Sequence, residues 1–192
     1  MANFDYFIFI LHSVFWLSFV LTRLLLRSGE KDKGGGQTAA PYSRALVAFH
    51  GTAFALMYIG LNIALLSNRV PAWFSGQRLV GSLIMLAGAV LSTSALLHFR
   101  SWRFRAAVDK NHQLATGGPF RLLRHPIYMG LNLLALGSAV WVPTPMVWTA
   151  FALMAIGGDL RARAEETLLT QVFGSAYQEY SRRTRRFLPG IY

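Results

Sequence analysis

No cysteine occurs among the 192 residues, which excludes disulfides, a thiolate nucleophile and any cysteine-ligated metal. Acidic residues are scarce, 8 against 19 Lys and Arg, and the pI lies near 10.9. That balance alone would suit nucleic acid, but the basic residues stand between long apolar runs, an arrangement that argues against nucleic acid and for anionic membrane lipids. Charged residues make up only 14% of the chain against 54% hydrophobic, with a mean hydropathy of +0.38. A soluble domain of this length cannot hide so much apolar surface, so the excess must face lipid. Also missing are an internal repeat and any Gly-x-Gly-x-x-Gly following a strand. A Rossmann cofactor domain is therefore excluded, and a nucleotide-like cofactor has to bind in another way.

What is present is a set of membrane-length runs. Crossing ~30 Å of hydrocarbon takes about 20 apolar residues in a helix, and Tyr6 to Leu26, Ala45 to Leu66 and Leu79 to Phe99 meet that need. The first run follows Asp5 with no Lys or Arg ahead of it, so it reads as a retained span and not as a signal peptide. Ile127 to Val142 and Pro145 to Ile156 are shorter and are parted only by Pro143-Thr144-Pro145, which predicts a helical hairpin whose second arm leads into a polar helix from Asp159. Between the second-run start and the first-run end, Ser28 to Ala40 with Gly34-Gly35-Gly36 has the composition of a flexible connector.

The distribution of Lys and Arg orients these spans. Five lie from Arg23 to Arg44, two between the second and third runs, six from Arg100 to Arg124, none in the Pro143 turn and six from Arg161 onward. The positive-inside rule then predicts five crossings with the N-terminus outside and the C-terminus cytoplasmic. The expected fold is all-α: a polytopic membrane protein of about five transmembrane helices with a hairpin and a cytoplasmic C-terminal helix. It forms one integral-membrane domain over residues 1–192, with three spans in 1–99 and a catalytic region in 100–192.

Titratable residues gather in two segments flanking the hairpin, His112 to Tyr128 and Asp159 to Tyr180. The arms of an antiparallel hairpin end on one membrane face, so these segments must be neighbours. In the first, Thr116-Gly117-Gly118-Pro119 signals a turn, and Arg124-His125-Pro126 opens an apolar helix. Proline suits the first helical position, which places His125 at the N-cap, where free N–H groups receive an anion or a lone-pair-rich ligand. The bland alternative makes Arg124 a headgroup contact and His125 a cap. In the second segment Glu165, Glu166, Leu169, Val172 and Phe173 recur at helical spacing, and Arg161 stands one turn before Glu165. Spacing alone would make Arg161 and Glu165 a surface pair, but charges at the bilayer boundary facing a bundle interior are usually functional.

The run Gly118-Pro119-Phe120-Arg121-Leu122-Leu123-Arg124-His125-Pro126-Ile127-Tyr128-Met129-Gly130 is followed by Glu165-Glu166, Leu169, Phe173-Gly174, Tyr177, Tyr180 and Arg186-Phe187-Leu188-Pro189. Together these resemble the isoprenylcysteine carboxyl methyltransferase family, and the related phospholipid methyltransferases share the Arg-His-Pro and Glu-Glu pattern. The resemblance runs from about Arg105 to Tyr192. It implies S-adenosylmethionine as cofactor, lined by His112, Gln113, Leu114, Ala115, Phe120, His125, Pro126, Ile127, Tyr128 and Glu165. Phe120 stands where the family usually has Tyr, which keeps a stacking face and loses a hydroxyl. The expected catalytic residues are Arg161, Glu166 and His125, with Arg161 and Arg124 facing the methyl acceptor and no metal.

Direct displacement of a methyl group calls for alignment and exclusion of water, without a covalent nucleophile. A carboxylate acceptor needs no base, whereas an amine or thiol would draw on His125 or Glu166. The resemblance thus implies a lipophilic, membrane-associated acceptor. A lipid-borne carboxylate leads, a phospholipid amine or a small thiol remains open, and a membrane NADPH-dependent reductase or a non-enzymatic membrane protein stands as the alternative of another class.

Overall fold

The computed structural model describes residues 7–27, 38–39, 42–67, 70, 72, 74–98, 107–108 and 114–192. It is built from helices α1 (Phe7–Arg27), α2 (Ser43–Leu66), α3 (Gln77–His98), α4 (Pro126–Trp141), α5 (Pro145–Phe173) and α6 (Ser175–Arg183). A single 3₁₀ turn, Gly118–Arg121, precedes α4. The only pairing of strands among the described residues is a two-residue antiparallel bridge, β1 (Thr38–Ala39) with β2 (Ala107–Val108), in the register Thr38 to Val108 and Ala39 to Ala107. The Gly34-Gly35-Gly36 connector lies outside the described residues.

The first three apolar runs become α1, α2 and α3 with ends within two residues of those expected. By length and composition, Arg44–Leu66 and Gln77–His98 are long and apolar enough to cross a membrane, while Phe7–Thr22 and Pro126–Trp141 are apolar but shorter. Large apolar side chains point outward from these helices: Ile10, Leu17, Leu21 and Leu24 on α1, Ile59 and Ile63 on α2, and Leu79, Leu83 and Val90 on α3. An exterior of this kind suits lipid and would be an aggregation surface in water.

The hairpin forms as expected, with one extension. Thr144 caps α5, its hydroxyl accepting from the Val147 N–H at 3.4 Å, and Pro145 fills the first helical position. The second arm and the polar helix from Asp159 are one continuous helix of 29 residues, about 43 Å long. Gly174, at φ 53°, ends α5 and starts α6 in a backbone conformation that only glycine adopts without strain.

Close backbone approach holds the bundle together. Helices α3 and α4 run antiparallel with glycines facing glycines: a methyl added at Gly88 would lie 2.6 Å from the carbonyl oxygen of Gly130, and one at Gly137 would lie 2.6 Å from that of Gly81. In lipid, apolar side chains gain nothing by leaving the solvent, so helices associate through tight packing and interhelical hydrogen bonds, and small residues let both form. A second device is a chain of hydrogen bonds joining α1, α2 and α4. Trp16 Nε1 donates to the Tyr58 hydroxyl at 2.7 Å, Tyr58 donates to His12 Nδ1 at 2.9 Å, His12 Nε2 donates to Ser138 Oγ at 2.9 Å, and Ser138 donates to the Leu134 carbonyl at 2.7 Å. Tyr58, His12 and Ser138 each give one proton and take one between the Trp16 donor and the Leu134 acceptor, so the chain runs in a single direction.

Replacing Gly137 with Ala should destabilise the protein by about 1–3 kcal/mol, because a close-packed backbone has to move. Gly51→Ala is the control, since its added methyl would meet nothing within 4 Å, and it should hold or raise stability by up to about 1 kcal/mol through helix propensity. Thermal melts of both variants in one detergent check the pair; equal melting temperatures would show that the α3–α4 contact tolerates a methyl group.

Candidate active site

The segment leading into α4 is shaped by two local features. Gly118 has φ 54°, and a methyl there would lie 2.5 Å from the His98 ring, so the turn requires glycine for its conformation and for its contact. Pro126 starts α4 and leaves His125 at the N-cap, as its position before the proline predicts. The His125 side chain makes no capping bond among the described residues. Its ring turns toward α5, with Nδ1 3.5 Å from Glu165 Oε2 and Nε2 3.2 Å from Glu166 Oε1.

Glu166 is the hub. Its Oε1 accepts from Arg124 Nε at 2.9 Å and Arg186 Nε at 3.0 Å as well as from His125, and its Oε2 accepts from Arg186 Nη2 at 2.7 Å. Arg124 Nη1 also donates to the carbonyls of Ser181 at 3.0 Å and Thr184 at 2.6 Å. The chain after α6 is thereby laid along the entrance to α4, where the Arg124 and His125 N–H groups donate to the Arg185 and Arg186 carbonyls at 2.7 and 3.2 Å. Beyond the hub, Asp159 accepts from Arg163 Nε at 2.6 Å, from Arg186 Nη1 at 3.2 Å and from the Tyr192 hydroxyl at 2.9 Å.

Two of these groups have displaced titrations. Burial pushes the Glu166 carboxyl up, but the hydrogen bonds from His125, Arg186 and Arg124 outweigh it and hold it well below the ordinary carboxylate range. For His125 burial favours the neutral ring, and the bonds and charges of Glu165 and Glu166 outweigh that and raise its pKa above the ordinary 6.5. A carboxylate so strongly stabilised in its charged form is a poor proton acceptor. The Arg124 guanidinium is likewise committed to Glu166 and two backbone carbonyls, so it braces the site where a substrate contact was expected.

Glu165 and Arg161 present a different face. The Tyr128 hydroxyl donates to Glu165 Oε1, the His125 ring stacks on Tyr128 at 5.7 Å and 12°, and the buried guanidinium of Arg161 lies over the Tyr128 ring at 4.7 Å. A carboxylate and a guanidinium thus flank one aromatic ring, so a cationic group and an anionic group could be held side by side. Pro126, Ile127 and Tyr128 are buried, and so is Phe120, whose carbonyl accepts from the Tyr180 hydroxyl at 2.8 Å. Leu114 and Ala115 are half-buried, and Ala115 packs on the core. His112 and Gln113 lie outside the described residues. A solvent-open cleft of about 430 Å³ lies on the Glu166 side, lined by residues including Arg124, Arg163, Tyr177 and Arg186 but not by Glu165 or Tyr128.

Sequence reasoning passed over Arg186 as a site residue. It stands 20 residues from Glu166, and only its place in the closing Arg-Phe-Leu-Pro run marked it.

Residues 77–176, just over half of the chain, match the phospholipid methyltransferase family. The chain is 28% identical over 183 residues to a probable protein-S-isoprenylcysteine O-methyltransferase of Oryza sativa subsp. indica, covering 78% of this chain and 95% of the relative. It is 30% identical over 114 residues to protein-S-isoprenylcysteine O-methyltransferase A of Arabidopsis thaliana, covering 59% of this chain and 56% of that one. A shorter stretch of 86 residues is 38% identical to the cobalt-zinc-cadmium resistance protein CzcN of Cupriavidus metallidurans, 43% of this chain and 38% of the relative. The matched region spans α3 through the start of α6 and holds the Arg124, His125, Arg161, Glu165 and Glu166 side chains.

The raised His125 value has a consequence for stability. A group whose pKa is higher folded than unfolded contributes stability that is full below the unfolded value and fades as pH climbs through the folded one. The melting temperature in detergent should therefore fall as pH rises above 6.5 through the raised His125 value, while Glu166, depressed in the fold, stays charged throughout that window. His125→Gln should flatten this alkaline loss; a wild-type curve already flat from pH 6.5 upward would contradict the charged His125.

Proposed function

Because this chain belongs to the phospholipid methyltransferase family, and is by that membership a methyltransferase, we propose that it uses S-adenosylmethionine to methylate the carboxylate of a prenylated cysteine. The observation that carries this reading is the pairing of Glu165 and Arg161 across the Tyr128 ring. A half-buried carboxylate between the Tyr128 and His125 rings suits a sulfonium cation, and the first turn of α4 suits the anionic end of the same molecule. When bound, the cofactor supplies an electrophilic methyl carbon. An oxygen of the acceptor carboxylate forms the new C–O bond as the C–S bond breaks, the electron pair of that bond stays on sulfur, and no proton moves. Arg161 pairs with the acceptor's negative charge and aims its oxygen, Glu165 and Tyr128 hold the cofactor side, and Glu166 with Arg124 and Arg186 keeps α4 and α5 in register. Leu114 and Ala115, with His112 and Gln113 before them, would close the cofactor side. A carboxylate acceptor fits this site better than an amine, because Glu166 is too strongly stabilised as an anion to remove a proton.

The reading includes a single integral-membrane domain with five crossings, the N-terminus outside, and the catalytic face and C-terminus in the cytoplasm. The Lys and Arg distribution supports it, as does the β1–β2 bridge, since two loops that pair must lie on one side of a membrane. Reporters inserted near Gly35 and after Tyr192 should both register cytoplasm and one at Thr144 the opposite side; an external C-terminus would reverse the orientation.

Transfer of radiolabelled methyl from S-adenosylmethionine to N-acetyl-S-farnesylcysteine by the purified protein tests the activity. Arg161→Ala should lower kcat/KM for this acceptor by about 10- to 100-fold, the scale of a charge-assisted hydrogen bond, while cofactor affinity stays within about twofold. Lys should rescue only in part, because an ammonium lacks the two parallel N–H bonds of a guanidinium. Equal loss of both affinities would remove Arg161 from the acceptor side.

A further inference from the structure

Besides the residues on α4 and α5, α2 brings one more titratable side chain to the same place. His50 is 2% exposed, and neither of its ring nitrogens has a hydrogen-bond partner among the described residues. One face of the ring stacks on Phe54 at 5.4 Å and 18°, and the ring lies 6.5 Å from that of Tyr128. Gly157, one turn before Arg161 on α5, lets α2 come close: a methyl there would be 3.0 Å from Phe49 and 3.7 Å from His50.

An imidazole has one N–H to give and one nitrogen to receive. Leaving such a group unpaired away from water costs about 1–3 kcal/mol, and bundle interiors in lipid offer no water to share the cost. Another buried histidine of the bundle, His12, shows the contrast, since both of its nitrogens are engaged, with Tyr58 and Ser138. An ionisable residue kept inside a membrane bundle without a partner, against the aromatic ring that Arg161 covers, is placed to meet a ligand.

We infer that His50 is a positioning residue for the methyl acceptor, donating its ring N–H to the carboxylate oxygen that is not methylated while Arg161 balances the charge. This rests on the carboxyl methyltransferase reading given above. The second hydrogen bond holds the unmethylated oxygen from another helix, so the carboxylate stays aligned, and displacement at the methyl carbon is sensitive to that alignment. A bundle helix outside the matched region thus supplies part of the acceptor site.

Kinetics of His50→Phe and His50→Gln with N-acetyl-S-farnesylcysteine, together with binding of radiolabelled S-adenosylmethionine and thermal melts, test the assignment. Phe keeps the stack on Phe54 and removes the polar atoms. It should lower kcat/KM for the acceptor about tenfold or more, leave cofactor affinity unchanged, and hold or raise the melting temperature, because an unpaired buried group has been removed. Gln should recover part of the acceptor kinetics by restoring an N–H. A wild-type acceptor kcat/KM in the Phe variant would overturn the inference, and so would a fall in melting temperature, which would mean that His50 is paired in the fold. Wild-type protein that binds the cofactor but never methylates the farnesylated probe would instead sink the proposed function, and the inference with it.

Discussion

A single carboxylate, Glu166, receives three charged donors from two separate stretches of chain: Arg124 and His125 at the entrance to α4, and Arg186 beyond α6. All of these side chains are largely buried, near the point where α5 leaves the bundle, so their charges are poorly screened and each depends on the others. Removing one partner from such a cluster leaves an uncompensated charge, at a cost of about 3–5 kcal/mol. The cluster therefore clamps the tail along residues 122–125 and sets the rotation of α5 about its own axis. Glu165 follows from that rotation: adjacent helical residues point about 100° apart, so once Glu166 faces the arginines, Glu165 must face Tyr128.

The two adjacent glutamates consequently do unlike work. One is consumed in holding elements together and keeps its charge under all ordinary conditions, while the other shares its carboxylate between a phenol and an imidazole. His125 bridges both, which explains why its ring turns away from the helix it caps. Methyl transfer asks a protein mainly for fixed distances and angles, and in the proposed reaction Glu166 would brace the site while Glu165 would face the cofactor, without a reactive nucleophile.

Deeper in the bundle the constraint is different in kind. Glycine pairs between α3 and α4 and the hydrogen-bond chain through His12 set helix positions where no apolar driving force separates protein from lipid. These devices depend on contact geometry at atomic scale and hold the helices whose ends carry Tyr128 and Arg161.

The sequence by itself determined the helical spans, the Pro143 hairpin and the N-cap position of His125, because each depends on properties summed over neighbouring residues: apolar length, a proline that cannot continue a helix, a basic loop. It also placed the His112 to Tyr128 and Asp159 to Tyr180 segments side by side, since a three-residue turn permits nothing else. Only the tertiary structure decided how identical residue types divide their roles. Glu165 and Glu166 are alike in composition, the Arg124 guanidinium gives no sign in the sequence that it is bonded to Glu166, Ser181 and Thr184, and His50 is one polar residue in an apolar run until Tyr128 is seen beside it. The physical reason is that a side chain's partner is set by segments 20 to 60 residues away meeting in a poorly screened space, where differences of a few tenths of a nanometre decide whether a charge is spent on the fold or kept for a ligand.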